Sequence, residues 1–592
     1  MPKVRFDRFY RYGELSEILQ GWASEHPKLF ALSSIGKSYE GREIWLATVT
    51  NTATGPASEK PGFWLEANIH ASEVTGSAAA LHLLDKLVTT YGTDPKVRRA
   101  VDTRTFYVVP RLNPDGAELA LADIPRIVRS STRPYPYTDH DDGLHREDVD
   151  RDGRILAMRV QDRNGNWKQH ADEPRLMVRR DPDEDDPDTT YYRLLPEGTI
   201  RNYDGTTIKM ARPLEGLDLN RNFPIEWEPE NRQRGAGPYP TSEPEIKAEV
   251  DAIVERRNIC TYISYHTYTG VHLRPYSDHP DDHFPTGDLR TFNWIGDEMT
   301  RITGYPWVSI FHGFKYDPKA GLRGASDDWL YEHLGIYAWT TEFWSPMKAA
   351  GVKIDHHIEW FRDHPIEDEL KLFKWNDKVL KGAGWVDWYD FDHPQLGKVQ
   401  LGGWDTMRVF TNVPAKLLEK EIKPHADLAV FFANISPCLE LHSIERKRVG
   451  EGQYLIRLIV QNTGWLPTNV SEKAVERKAV RELEAEITLP RGAKLLQGEA
   501  KLKGGQLTGR NFKRSSLGLF GDPDATTDRA KFEWVVDAPD GGRVSIEARH
   551  DRAGVVREEL TLRRTASKAR AKPKPGPKRR PSTKGRTRRR SA

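Results

Sequence analysis

The sequence predicts an α/β sheet with helices on its faces, followed by an all-β sandwich and a disordered basic tail. Three observations carry this. Apolar runs of strand length alternate with helical patterns through most of the chain. Beyond about residue 426, short strand-like runs are separated by Gly, Pro and Asp. The stretch 566–592 holds twelve Lys and Arg with no acidic residue and cannot bury enough apolar surface to order itself. The expected domains are 1–425 with an insertion at 117–217, then 426–565, then the tail 566–592.

At 592 residues the chain exceeds one ordinary core, and 37% apolar with 10% aromatic residues can fill more than one. The mean hydropathy is -0.69, and no apolar run approaches the roughly 18 residues of a membrane span. The start, Met1-Pro2-Lys3-Val4-Arg5-Phe6, lacks the apolar stretch of a secretory signal, so a cytoplasmic location is expected. Cys260 and Cys438, far apart in sequence, fit reduced thiols better than a disulfide framework. A net charge of +2 hides an asymmetry, because without its basic tail the chain is acidic. Such a tail is expected to bind nucleic acid or acidic surfaces without sequence preference.

Along the chain, Leu15, Ile18, Leu19 and Trp22 share a helical face. Strands follow at Ile44 to Val49 and at Gly62 to Ile69. The second strand ends at His70, and a helix starts near Glu73. This corner offers an imidazole and a carboxylate two residues apart, an N and O donor pair that zinc accepts. On its own the pair also reads as a polar helix start with a capping glutamate. After a helix to about Thr90, the strand Thr105 to Val109 ends in Asn113-Pro114-Asp115-Gly116. Ligands of α/β sheets gather at the carboxyl ends of strands, where His70 stands.

Residues 117–217 read as irregular and polar. Within them Asp148-Val149-Asp150-Arg151-Asp152-Gly153 copies the first half of an EF-hand loop, although position 12 is Arg159. Two readings stand, a Ca²⁺ site at Asp148, Asp150 and Asp152 or a solvated acidic turn. Regular structure returns at Gly216 to Pro224, a helix starts at Ser242-Glu243-Pro244, and the strand from Cys260 delivers His266. A later strand, Ile336 to Thr341, delivers Glu342. Asp278-His279 with His283, and His356-His357-Ile358-Glu359 with His364, read as solvated loop or helix faces. Beyond Asp427 neither a His/Cys cluster nor a nucleotide motif is found.

These blocks resemble the M14 zinc carboxypeptidases, the carboxypeptidase A and B family, over roughly residues 10–400. The resemblance implies a mixed eight-stranded-type sheet flanked by helices and a peptidase acting on peptide or protein C-termini. It implies one Zn²⁺ held by a His₂Glu set, matching His70, Glu73 and His266, with His272 the rival third ligand. The general base matches Glu342 in Thr340-Thr341-Glu342-Phe343, and the electrophilic arginine matches Arg129. The pair that grips the terminal carboxylate matches Asn220-Arg221.

The residue at the base of the terminal side-chain pocket matches Asp327 in Ser326-Asp327-Asp328-Trp329, which implies a preference for Lys or Arg; otherwise Asp327 caps the helix that follows. The family's substrate-capping tyrosine falls at Ala320, and Tyr316 would serve only with the loop Asp317-Pro318-Lys319 rearranged. Two other functions fit the same residues: an enzyme acting on cell-wall peptides or side-chain-linked glutamate, and a catalytically inactive peptide-binding protein.

Overall fold

Eight strands pair into one mixed sheet: β1 (Phe30–Lys37), β2 (Glu43–Val49), β3 (Gly62–Ala67), β4 (Thr105–Val109), β5 (Ile259–Thr267), β6 (Val271–Arg274), β7 (Trp307–Ser309) and β8 (Tyr337–Phe343). The computed structural model describes residues 4–317, 321–354, 356–511, 525–538 and 542–562. The strand order is β1-β2-β4-β3-β5-β8-β6-β7. The central run β4-β3-β5-β8 is parallel, and its strands are buried along their whole length, as a parallel sheet covered on both faces requires.

Side chains alternate between two cores. On β3, Phe63 and Leu65 join Leu81 and Leu84 of the helix Thr75–Thr90, while Trp64 joins Ile246, Tyr262 and Trp329 on the opposite face. Each such buried side chain contributes about 1.5–3 kcal/mol. Gly76 lets the helix lie close against β5, because a Cβ there would come within 3.0 Å of the Tyr265 backbone oxygen. The helix Ala415–Ile435 packs against Thr75–Thr90 and adds Leu418, Ile422 and Phe432 to the first core. It runs through residue 426, so the boundary expected there falls inside a helix, and the next strand starts at Leu439.

The insertion differs from the irregular stretch expected of it. Its strand Gly143–Arg146 pairs with Gly198–Arg201. Ala157–Gln161, Trp167–Gln169, Met177–Arg179 and Tyr192–Pro196 join Trp385–His393 and Gly397–Trp404 in a six-stranded sheet. The insertion's own strands are only three to five residues long, and the pairing across to Gly397–Trp404 comes from far along the chain. Arg159 packs its guanidinium 4.6 Å from the Tyr192 ring and 4.5 Å from the Trp388 ring, which ties the two halves together.

The later strands form two four-stranded sheets. Tyr454, Ile456, Leu458 and Val460 alternate inward from Gln453–Asn462 and share a core with Ala485, Ile487, Val544 and Ile546 of the other sheet. This sandwich docks on the first domain: Asp288 accepts the Glu472 and Lys473 amides at 2.8 and 3.0 Å, and Arg552 donates to the carbonyls of Leu334 and Gly335. Both cysteines are buried and free. Among the described residues no helix is long and apolar enough to cross a membrane. The basic tail expected at 566–592 lies outside the described residues.

Candidate active site

At the carboxyl end of β3 the chain turns through Asn68, which has φ 63°, a left-handed conformation that Asn tolerates. The Asn68 side-chain Nδ2 donates to the His70 and Ala71 carbonyls at 2.6 and 3.2 Å and holds the corner. His70 and Glu73 therefore project together above the strand ends. His266 and Glu342 occupy paired positions on the adjacent parallel strands β5 and β8.

Three donor groups converge. His70 Nδ1 lies 3.0 Å from His266 Nδ1 and 3.0 Å from Glu73 Oε1, and His266 Nδ1 lies 3.3 Å from Glu73 Oε2. Ligands about 2.0–2.1 Å from a tetrahedral zinc stand about 3.3 Å apart. The donor set and its spacing therefore fit zinc. Burial alone would raise the Glu73 carboxyl, but His70 and His266 outweigh it and draw it down. Burial pushes the His266 imidazole down to about 4, so it is held neutral, as a metal ligand must be. His272, the rival ligand, sits elsewhere in the core and bonds the hydroxyls of Thr341 and Thr303 at 3.0 and 2.8 Å.

The remaining residues surround this centre. Glu342 is buried, and its Oε2 has no hydrogen-bond partner among the described residues. Burial, then the nearby Glu73, hold its carboxyl well above the usual range. Arg129 reaches Glu73 Oε1 at 3.3 Å and Asp218 Oδ2 at 3.0 Å. Asn220 and Arg221 lie on the short turn Leu219–Arg221, where Asn220 Oδ1 accepts the Ser326 amide at 2.9 Å.

A cavity of about 40 Å³ is lined by Arg221, Asp327 and Glu342, with apolar walls from Leu273, Ile310 and Leu322. Asp327 is 1% exposed; its Oδ1 accepts the Asp328 amide at 3.0 Å and its Oδ2 the Thr340 hydroxyl at 3.1 Å. It thus acts as a helix-start acceptor and lines the pocket at once. Tyr316 stands at the mouth, lining this cavity and a neighbouring one of about 230 Å³ with Arg129 and Glu342. Residues 318–320, including Ala320, lie outside the described residues.

Three residues were not anticipated. Asp218 Oδ1 lies 3.1 Å from His70 Nε2. Ser264 Oγ lies 2.7 Å from His266 Nε2 and itself donates to Glu66. Each histidine thus has a polar group behind it that fixes its tautomer and ring plane. The signals were a carboxylate two residues before Asn220 and a lone glutamate in the apolar run of β3.

Other sequence candidates fare differently. Asp148 and Asp150 gather with Glu197 rather than Asp152. Asp148 accepts the Asp152 and Gly153 amides, and Glu197 accepts those of Val149 and Leu156. Protein donors thus satisfy these carboxylates, and the geometry lends calcium no support. An 810 Å³ cavity on the insertion, lined by Ile127, His145 and Met210, shares no residue with the cavities at Glu342. Ligand chemistry, not cavity size, locates the site.

The comparisons agree with this geometry. A family model described as zinc carboxypeptidase matches residues 15–352, and one for a domain of unknown function matches residues 438–561. Carboxypeptidase B of Astacus astacus is 26% identical over 345 residues, 56% of this chain and 86% of that protein. Carboxypeptidase M of Mus musculus is 33% identical over 111 residues, 19% of this chain, and the match spans 25% of that protein. The crystal structure of thrombin activatable fibrinolysis inhibitor aligns at 18% identity over 72% of this chain and 74% of that one, with a TM-score of 0.41. The family match covers more than half of the sequence, and the chain belongs to the M14 zinc carboxypeptidase family.

Proposed function

We propose that the protein is a zinc-dependent carboxypeptidase that hydrolyses the last peptide bond of a chain with a free carboxyl terminus. The observation that carries this is the convergence of His70, Glu73 and His266 beside the unpartnered Glu342 Oε2. When bound, zinc supplies Lewis-acid activation of water and of the scissile carbonyl. Glu342 accepts the proton of the attacking water and delivers it to the leaving nitrogen.

Arg129 stabilises the negative charge that develops on the carbonyl oxygen. Arg221, with Asn220 beside it, receives the terminal carboxylate, and a guanidinium fork suits that group. Tyr316 covers the bound end, and Asp327 meets the terminal side chain. The apolar walls with one carboxylate favour Lys or Arg, which bring an apolar stem and a cationic head. The complete donor set and base favour catalysis over peptide binding alone.

The test is hydrolysis of peptides with free and amidated carboxyl ends, with and without a zinc chelator. Release of the last residue from free-ended peptides only, lost with the chelator, is expected. Equal cleavage of amidated peptides, or activity indifferent to chelation, would overturn the reading.

A further inference from the structure

We propose that Asn412, which lies beyond the family match, is a positioning residue for the zinc ligand Glu73. The inference rests on the zinc reading above and deepens it. Glu73 stands in the short link between β3 and the helix Thr75–Thr90. Asn68 holds the strand end of that link through the His70 and Ala71 carbonyls. The helix end has no clamp of its own. A helix start leaves orphan amides that Ser, Thr, Asp or Asn at the N-cap ordinarily satisfies, and here the N-cap is Val74, whose side chain bonds none of them.

The missing group arrives from 337 residues along the chain. Asn412 Oδ1 accepts the Thr75 amide at 2.9 Å and the Thr75 hydroxyl at 3.1 Å. Its Nδ2 donates to the carbonyls of Ser72 at 2.7 Å and Met407 at 3.1 Å. These partners fix which end of the carboxamide is which, because a backbone amide only donates and a carbonyl only accepts. Both donors and both acceptor positions of the side chain are used, and the residue is fully buried. One carboxamide thus spans residues 72 and 75 and brackets Glu73.

The surroundings tie this segment to the site. Thr411 lines the cavity of about 230 Å³ together with His70, Ser72 and Glu73. Met407–Thr411 follows the strand Gly397–Trp404, whose Leu401 pairs with Met158 of the insertion, and Arg408 donates to the Gly153 carbonyl at 3.1 Å. The insertion and the zinc corner are thereby joined through Asn412. A ligand set works only when its members are held to within about 0.5 Å by supporting bonds, and Asn412 supplies those bonds on the helical side of Glu73.

The test is zinc affinity of the folded full-length protein, read by competition with chelators of graded strength. Asn412→Ala is expected to weaken binding by about 10–100-fold, and to cause no further loss when Glu73 is already replaced by Glu73→Gln. Unchanged affinity in Asn412→Ala would overturn the proposal. So would an equal loss in both backgrounds, which is the mark of a general loosening of the fold rather than of an effect through Glu73. If Asn412→Ala does not fold, Asn412→Ser is read against the same outcomes, since its hydroxyl is one bond shorter and offers a single oxygen in place of two bonding atoms. Wild type that binds no zinc would overturn the reading of the site itself, and this proposal with it.

Discussion

Asp218 Oδ1 stands 3.1 Å from His70 Nε2, and the same carboxylate takes Arg129 Nε on Oδ2 at 3.0 Å. A histidine that ligates through Nδ1 carries its proton on Nε2 and donates it to Asp218. One side chain thereby orients a zinc ligand and the oxyanion arginine together. Asp218→Ala is therefore expected to weaken zinc binding by about 10–100-fold, read by competition with a calibrated chelator. Unchanged affinity would show that Asp218 does not orient His70.

Glu342→Gln should keep its zinc and lose about 10²- to 10⁴-fold in turnover. The amide preserves the shape beside Glu73 but accepts no proton. Metal content and kcat measured on one preparation separate the two effects. Near wild-type kcat would place the base elsewhere.

Glu245 provides a test of stability away from the zinc. It is fully buried under the turn at Tyr39, whose amide it accepts at 2.9 Å, and its Oε2 is unpartnered among the described residues. Burial pushes its carboxyl up to about 7. A folded-state pKa above the unfolded one means that the native state binds the proton more tightly. This contribution is complete below the unfolded pKa and fades as pH rises to about 7. Glu245→Gln mimics the protonated acid, so it should stabilise the protein at pH 8 by on the order of 3 kcal/mol and leave it nearly unchanged at pH 4. Thermal melts at the two pH values measure this, and equal shifts at both would refute it.

What was legible in the sequence was local. His70 and Glu73 share one strand-to-helix corner and Glu342 stands at a strand end, so spacing and strand-end position single them out, whereas Asn220-Arg221 is marked only by the resemblance to the family. The insertion's strands were hidden because strands of three to five residues are too short to show a periodicity. Their sheet is completed by Trp385–His393 and Gly397–Trp404, a pairing set by the fold alone. The helix Ala415–Ile435 carries Pro424 in its interior, a residue that ordinarily ends a helix, so the sequence does not mark it as one continuous element. Asp218 and Glu66 act through groups distant in sequence, 148 residues from Asp218 to His70 and 198 from Glu66 to Ser264.

Asp327 decides the last prediction, because it serves two roles that a single substitution can separate. Its oxygens hold the Asp328 amide and the Thr340 hydroxyl, and it lines the pocket beyond Arg221. Burial raises its carboxyl, while Thr340 and the backbone amides lower it. A terminal Lys or Arg offers that carboxylate a cation, whereas Phe or Leu would leave it dehydrated and unpaired, a difference of about 2–5 kcal/mol. Wild type should therefore cleave substrates ending in Lys or Arg faster than those ending in Phe or Leu. Asp327→Ala would remove the charge and the helix-start bond together. Asp327→Asn keeps an oxygen for the Asp328 amide and an amide group that can donate to Thr340, so the fold is retained while the charge is lost. The ratio of kcat/KM for Lys-ended over Leu-ended peptides should then narrow or reverse, with zinc content and melting temperature unchanged. A wild-type preference for Phe or Leu, or a ratio untouched by Asp327→Asn, would leave Asp327 as an acceptor within the first helical turn alone and assign selection to the apolar walls at Leu273, Ile310 and Leu322.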